Sequence, residues 1–174
     1  MENWYAVQVR TGKEQETVDL CRKIVESDIL IESFIPRYER MKRYQGKWHK
    51  EQLPMFPGYI FLVTERVEEL FYRLKEVPEL TKILGDGREF IPIKDEERDL
   101  LQRLGNEKHV TEMSKGYFVG DQAVIKSGPL KNMVGLIKFI DRHKRLAIIE
   151  LEMFGRKINT KLGIDIVKKE NQLI

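Results

Sequence analysis

Cysteine and histidine are scarce in this chain of 174 residues, with one Cys and three His. A single thiol excludes a disulfide framework and any Cys-based zinc site. His49, His109 and His143 are scattered and form no visible ligand cluster. Long apolar runs are missing too; each is a few residues, against the roughly 20 that span a bilayer. The opening Met1-Glu2-Asn3-Trp4 lacks the basic and apolar regions of an export signal. There is no Gly-rich phosphate loop, no metal spacing and no nucleophile–base pair, and Gly85-Asp86-Gly87 reads only as a turn. The expectation is a reduced, cytoplasmic, non-enzymatic protein with no cofactor, no metal and no membrane attachment. What is present, 41% hydrophobic residues, is enough for a packed core and excludes wholesale disorder. The length allows one domain or two small ones.

Charge is nearly balanced overall, 31 Lys+Arg against 28 Asp+Glu, but unevenly divided. Residues 1–114 hold 19 basic and 22 acidic groups, a net of −3, and residues 115–174 hold 12 and 6, a net of +6. Within the front part, Ile35 to Glu51 carries Arg37, Arg40, Lys42, Arg43, Lys47 and Lys50 against Glu39 and Glu51. Two basic zones thus sit on an otherwise acidic chain. Basic zones attract phosphate, and acidic surfaces restrict where it docks. The competing reading of such charge is a solvated surface.

Trp4 to Arg10 is aromatic and β-branched, as a strand requires. Thr11-Gly12-Lys13-Glu14 has the spacing of a capping box, and Val18, Cys21, Ile24 and Val25 follow at helical spacing. Cys21 therefore belongs to an apolar stripe and reads as a core residue. Leu30 to Tyr44 is a strand region broken by Pro36; Gln45-Gly46 turns it, and Lys47 to Gln52 returns as a β-hairpin. Tyr59 to Val63 reads as a strand. Val67, Leu70, Phe71 and Leu74 mark an amphipathic helix. Thr81 to Leu84 reads as a short strand. Asp95-Glu96-Glu97 opens a helix with acid in its first turn, as the helix dipole favours, and Leu100, Leu101 and Leu104 face inward. Gly105 to Gly116 has no apolar period and suits a linker. Beyond it, Gln122–Lys126, Val134–Ile140, Leu146–Met153, Lys157–Lys161 and Gly163–Val167 read as five short strands. A small barrel is expected, because closure removes exposed edges.

Trp4-Tyr5, Met55-Phe56-Pro57-Gly58-Tyr59-Ile60-Phe61, Gly120-Asp121 through Ser127-Gly128-Pro129-Leu130, and Phe154-Gly155-Arg156 occur in an order and spacing that resembles the NusG family of transcription elongation factors. The likeness covers essentially the whole chain. Leu130-Lys131-Asn132-Met133 and Leu151 to Lys157 look most like the family's specialised antiterminator branch, the LoaP-like paralogues. The resemblance implies an α+β chain. Residues 1–106 would form an N-terminal α/β domain of NGN type, with an antiparallel sheet and flanking helices. Residues 107–115 would be a linker, and 116–174 a C-terminal all-β KOW domain, an SH3-like five-stranded barrel. It implies a monomer whose N-terminal domain binds the RNA polymerase clamp helices and opposes pausing. The KOW domain would recruit an RNA hairpin in LoaP-like members, and a ribosomal protein or termination factor in general elongation factors. A ribosome-associated KOW protein is a further reading, but it leaves the N-terminal half unexplained.

Alternation places Tyr59 and Phe61 on one face of their strand and Ile60 and Leu62 on the other. Periodicity leaves open which face is core; the resemblance implies that Tyr59 and Phe61 meet the polymerase, with Phe56, Ile83 and Ile91 at the rim. A second polymerase contact made by some members would fall at Leu70 and Phe71, which read as helix core here. Lys131, Arg142, His143, Lys144, Arg145, Arg156, Lys157 and Lys161 fall in turns or at strand ends of the expected barrel and are candidates for RNA contact. Their alternative is charge kept for solubility. The hairpin residues Lys42, Arg43, Lys47, Trp48, His49 and Lys50 would touch RNA, upstream DNA or nothing. Arg10 and Lys13 flank the first strand–helix turn, near where relatives meet non-template DNA.

Overall fold

The fold follows the alternation of strand and helix signals along the chain. In the computed structural model, which describes residues 2–78, 80 and 90–167, the elements are β1 (Asn3–Gln8), α1 (Glu14–Ile24), β2 (Glu32–Phe34), β3 (Arg37–Tyr44), β4 (Lys47–Pro54), β5 (Tyr59–Thr64), α2 (Val67–Leu74), β6 (Phe90–Pro92), α3 (Asp95–Leu104), β7 (Val110–Thr111), β8 (Ser114–Val119), β9 (Gln122–Ser127), β10 (Ile137–Asp141), β11 (Leu146–Met153) and β12 (Arg156–Ile166). The expected strand Thr81–Leu84 lies outside the described residues. None of the described helices is long and apolar enough to cross a membrane.

The chain divides into two compact units, one of Met1–Pro36, Phe56–Leu100 and Met153–Gly155, the other of Arg37–Met55, Leu101–Glu152 and Arg156–Ile174. The first unit is built on the sheet β2-β5-β1-β6. β5 pairs antiparallel with both β1 and β2, in a register that sets Val7 opposite Ile60 and Phe34 opposite Phe61. Alternation then sorts the side chains. Val7, Ile60 and Leu62 join Val18, Cys21, Leu70 and Leu74 in a core shared with α1 and α2. The residues between them on β5 turn the other way. All six residues of β5 are buried, so both faces of this strand are covered.

Helix α1 begins differently from the expected capping box. Lys13 is its N-cap and contributes no side-chain cap bond. Glu14 Oε1 accepts the Gly12 N–H at 2.6 Å instead, because Gly12 takes a left-handed conformation that turns this N–H toward the carboxylate. Helices α2 and α3 form where expected: Leu70 and Leu74 are fully buried with Val67 and Phe71 half-buried, and Leu101 and Leu104 are buried while Leu100 is only half-buried.

The second unit holds the hairpin β3–β4 and an open half-barrel of order β10-β11-β12-β8-β9. Five strands are present in it, but not the five expected. Val134–Leu136 is a 3-10 turn preceding β10, and the two expected strands at 157–161 and 163–167 are one long strand, β12. Gly163 does not break that strand. It permits close passage of β12 over β3, since a Cβ there would lie 2.1 Å from the Glu39 carbonyl oxygen. The fifth strand comes from 114–119, beginning in the last residues of the stretch 105–116 read as lacking apolar period and as a linker; β8 pairs parallel with the end of β12, and Val110–Thr111, within that same stretch, pairs parallel with β3. Among the described residues the expected closure is not reached: β9 and β10 stand at opposite ends of the strand order.

Candidate functional site

The second face of the β2-β5-β1-β6 sheet is aromatic. Phe34 stacks on its cross-strand partner Phe61 at 5.6 Å, and Trp4 meets Phe34 edge-on at 5.0 Å. Phe56 leads into β5 and lies 6.1 Å from Phe61. Tyr59, the next β5 residue on this face, is held by the Gln8 side-chain amide, which donates to its hydroxyl at 2.9 Å. The predicted set Phe56, Tyr59 and Phe61 is thus brought together. Ile91 sits half-buried on β6 opposite Ala6, and Ile83 lies outside the described residues.

A residue absent from that predicted set completes the cluster. Phe154 stacks on Tyr59 at 4.3 Å and 14°, and reaches Phe56 at 5.5 Å and Phe61 at 6.0 Å. It belongs with Gly155 to the two-residue turn joining β11 to β12, where both have positive φ, +58° and +73°. That is the geometry of a type I′ turn, in which Asn, Asp or Gly is the usual first residue. A phenylalanine in this region costs roughly 1–2 kcal/mol of backbone strain. Each aromatic pair returns about 0.5–1.5 kcal/mol, and the Phe154 N–H donates to Glu97 Oε2 at 2.7 Å. With Phe154 seated, Tyr59 is 8% exposed and Phe61 not at all. The signal in the sequence was the Phe154-Gly155 pair between two strands: Gly marks the turn, but nothing local says what the phenyl ring touches.

The predicted cations fall elsewhere. The turn between β10 and β11 carries Arg142, His143 and Lys144, all exposed, with Asp141 Oδ1 accepting the Lys144 N–H at 3.0 Å. Arg142 Nη2 donates to the Gly120 carbonyl at 2.7 Å, and its guanidinium lies 3.6 Å from the centre of the Phe118 ring. Arg145 lies 4.0 Å over the indole of Trp48, so the β3–β4 hairpin and the 142–145 turn meet inside the second unit. Lys42, Arg43, Lys47, His49 and Lys50 are exposed on that hairpin. Lys131, Arg156, Lys157 and Lys161 are also exposed, with Lys157 Nζ 3.9 Å from Glu150. Arg10 is exposed, and Lys13 pairs with Glu16 at 3.1 Å. Counted by unit, the second holds 20 basic against 10 acidic residues, net +10, and the first 11 against 18, net −7. Both basic zones recognised in the sequence are therefore in one unit.

Comparison with known proteins gives one answer. A family model described as transcription termination factor NusG matches residues 2–102. The transcription termination/antitermination protein NusG of Staphylococcus carnosus is 30% identical over 176 aligned residues, covering 97% of this chain and 96% of that protein. The protein of the same name from Staphylococcus aureus is 29% identical over the same coverage. A solved structure described as domain interaction in Thermotoga maritima NusG aligns with a TM-score of 0.53 at 24% identity, covers 94% of each chain and supports the fold. The aromatic-faced sheet and the strand-rich C-terminal half are thus those of a NusG-like α+β protein, and the chain belongs to the NusG family of transcription termination/antitermination factors.

Proposed function

We propose that this protein is a non-enzymatic antitermination factor of the LoaP-like branch, acting in the cytoplasm as a monomer. The aromatic face of the first unit binds the clamp helices of RNA polymerase, and the cations of the second hold a structured leader RNA. The observation that carries this reading is the cap on the aromatic face. It is one ring on a two-residue turn, held by stacking and one hydrogen bond, which an apolar partner helix can replace. Polymerase binding takes Phe154 off Tyr59 and puts a helix in its place. The net +10 of the second unit supplies the phosphate attraction that a hairpin ligand needs. Arg145 over Trp48 and Arg142 over Phe118 offer paired cations and planar groups of the kind that hold RNA. The C-terminal half-barrel acts as the KOW domain.

The test is Tyr59→Ala in a pull-down on stalled elongation complexes. Phe61 is a poor target, because truncating a fully buried phenylalanine costs about 3–5 kcal/mol and would test folding instead. Tyr59→Ala is expected to weaken polymerase association by about tenfold or more, the effect of roughly 1.4 kcal/mol, and to leave RNA binding unchanged. Unaltered association would remove this face from the polymerase site.

A further inference from the structure

An open groove of about 770 Å³ lies between β9 and β10, the two end strands of the half-barrel. Phe118, Asp121 and Gln122 line it from the β8–β9 side, and Val134, Phe139 and Arg142 from the β10 side. Its apolar groups are unusually open: Val134 is 48% exposed and Phe139 59%. A phenyl ring so exposed, on a strand of a strongly cationic unit, has forgone the burial that would stabilise it.

The chemistry of the groove is that of a planar ligand with apolar faces and a polar edge. Phe139 supplies a stacking surface. Arg142 already lies over Phe118 at 3.6 Å, so the site holds a guanidinium against a ring. Asp121 and Gln122 offer a carboxylate and an amide to the edge of such a ligand. Arg142 and His143 line the groove and also begin the cationic turn 142–145. A backbone held by that turn would deliver its next unpaired base into the groove. An added peptide strand would need a continuous open edge. Here the bond from Arg142 to the Gly120 carbonyl ties the two sides together at one end. We propose that the β9–β10 groove is a base-binding site in which Phe139 stacks on an unpaired nucleobase of the RNA whose phosphates the 142–145 turn holds. This rests on the RNA-binding reading above and adds the part of the RNA that is read.

Two RNAs test it with the full chain in mobility-shift titrations: a stem-loop pool with a randomised loop, and the same stem closed by abasic nucleotides. Phe139→Ala is expected to weaken binding to the randomised loop on the order of ten- to one-hundredfold, as removal of a base–aromatic stack does. The same change should leave the abasic stem unaffected and the log–log salt slope unaltered, since every phosphate interaction is retained. Phe139→Trp should restore the loop preference. A 2-aminopurine in the loop should be quenched by the wild-type chain and by Phe139→Trp, not by Phe139→Ala. Equal binding of both RNAs by wild type and Phe139→Ala, or equal weakening on both, overturns the proposal while RNA binding itself stands. A wild-type chain that binds neither RNA overturns the RNA reading and this site with it. Unchanged RNA binding together with loss of a protein partner in Phe139→Ala would assign the groove to a peptide.

Discussion

Cys21 shows what burial alone does to a reactive group. It lies on the inward face of α1 with no exposed surface, and burial pushes its thiol from 9.0 up to about 12. The sign of the pH effect follows from which state gives up the proton first. Below 9.0 both folded and unfolded chains keep it; above 9.0 the unfolded chain loses it and the folded chain does not. Stability contributed by the neutral thiol should therefore fall by about 1.4 kcal/mol per pH unit as pH rises from 9.0 toward about 12. Denaturant midpoints of wild type and Cys21→Ala at about pH 8 and pH 10 check this. The wild type should lose more, and parallel curves would refute the burial argument. The native thiol should also resist alkylation until the chain unfolds. The helical spacing of Val18, Cys21 and Val25 was sufficient to place this residue in the core. Spacing alone could not distinguish the two faces of β5, because alternation says that Tyr59 and Ile60 part and not which neighbour each will meet.

At the level of elements, the hairpins decide what is presented. The β11–β12 turn holds Phe154 in a left-handed conformation and against Tyr59. If this ring competes with a partner helix for the aromatic face, Phe154→Ala should raise apparent affinity for elongation complexes by about three- to tenfold, the equivalent of roughly one aromatic pair. Competition pull-downs against wild type measure it, and equal or weaker binding would show that the ring does not compete. Two-residue turns were legible in the sequence at Gln45-Gly46 and at Gly155, because positive φ leaves a compositional mark. The 3-10 turn at Val134–Leu136 left none: its residues are apolar and β-prone, and a strand was expected there. Strand β8 was hidden for the opposite reason. Ser114 to Val119 alternates weakly, and its pairing partners, β9 and the end of β12, are set by tertiary register rather than local pattern.

Across the whole chain, the dominant quantity is the division of charge, net −7 in one unit and +10 in the other. Such a division favours anionic ligands on the second unit and makes their affinity salt-dependent. Arg156→Glu with Lys157→Glu lowers that unit's charge by four, and both side chains are exposed, so folding should survive. RNA affinity should fall. The log–log salt slope should flatten by up to about 0.9 for each phosphate no longer neutralised, or about 1.8 for two, in the duplex limit. An unchanged slope and affinity would remove the two residues from the interface. Comparing this double substitution with Phe139→Ala separates phosphate binding from base stacking, since the slope responds to the first and not the second.

By itself the sequence determined the mix of helix and strand, the three helices marked by Val18–Val25, Val67–Leu74 and Asp95–Leu104, and the basic hairpin, because these rest on periodicity, turn chemistry and composition, which are local; the family likeness rested on the ordered motifs from Trp4-Tyr5 to Phe154-Gly155-Arg156. Only the tertiary structure decided three matters: that Phe154 covers Tyr59, that the hairpin's Trp48 meets Arg145, and that the last sheet stays open between β9 and β10. Each joins residues far apart in the chain. Their meeting is fixed by strand register and long-range packing, which no short window of sequence records.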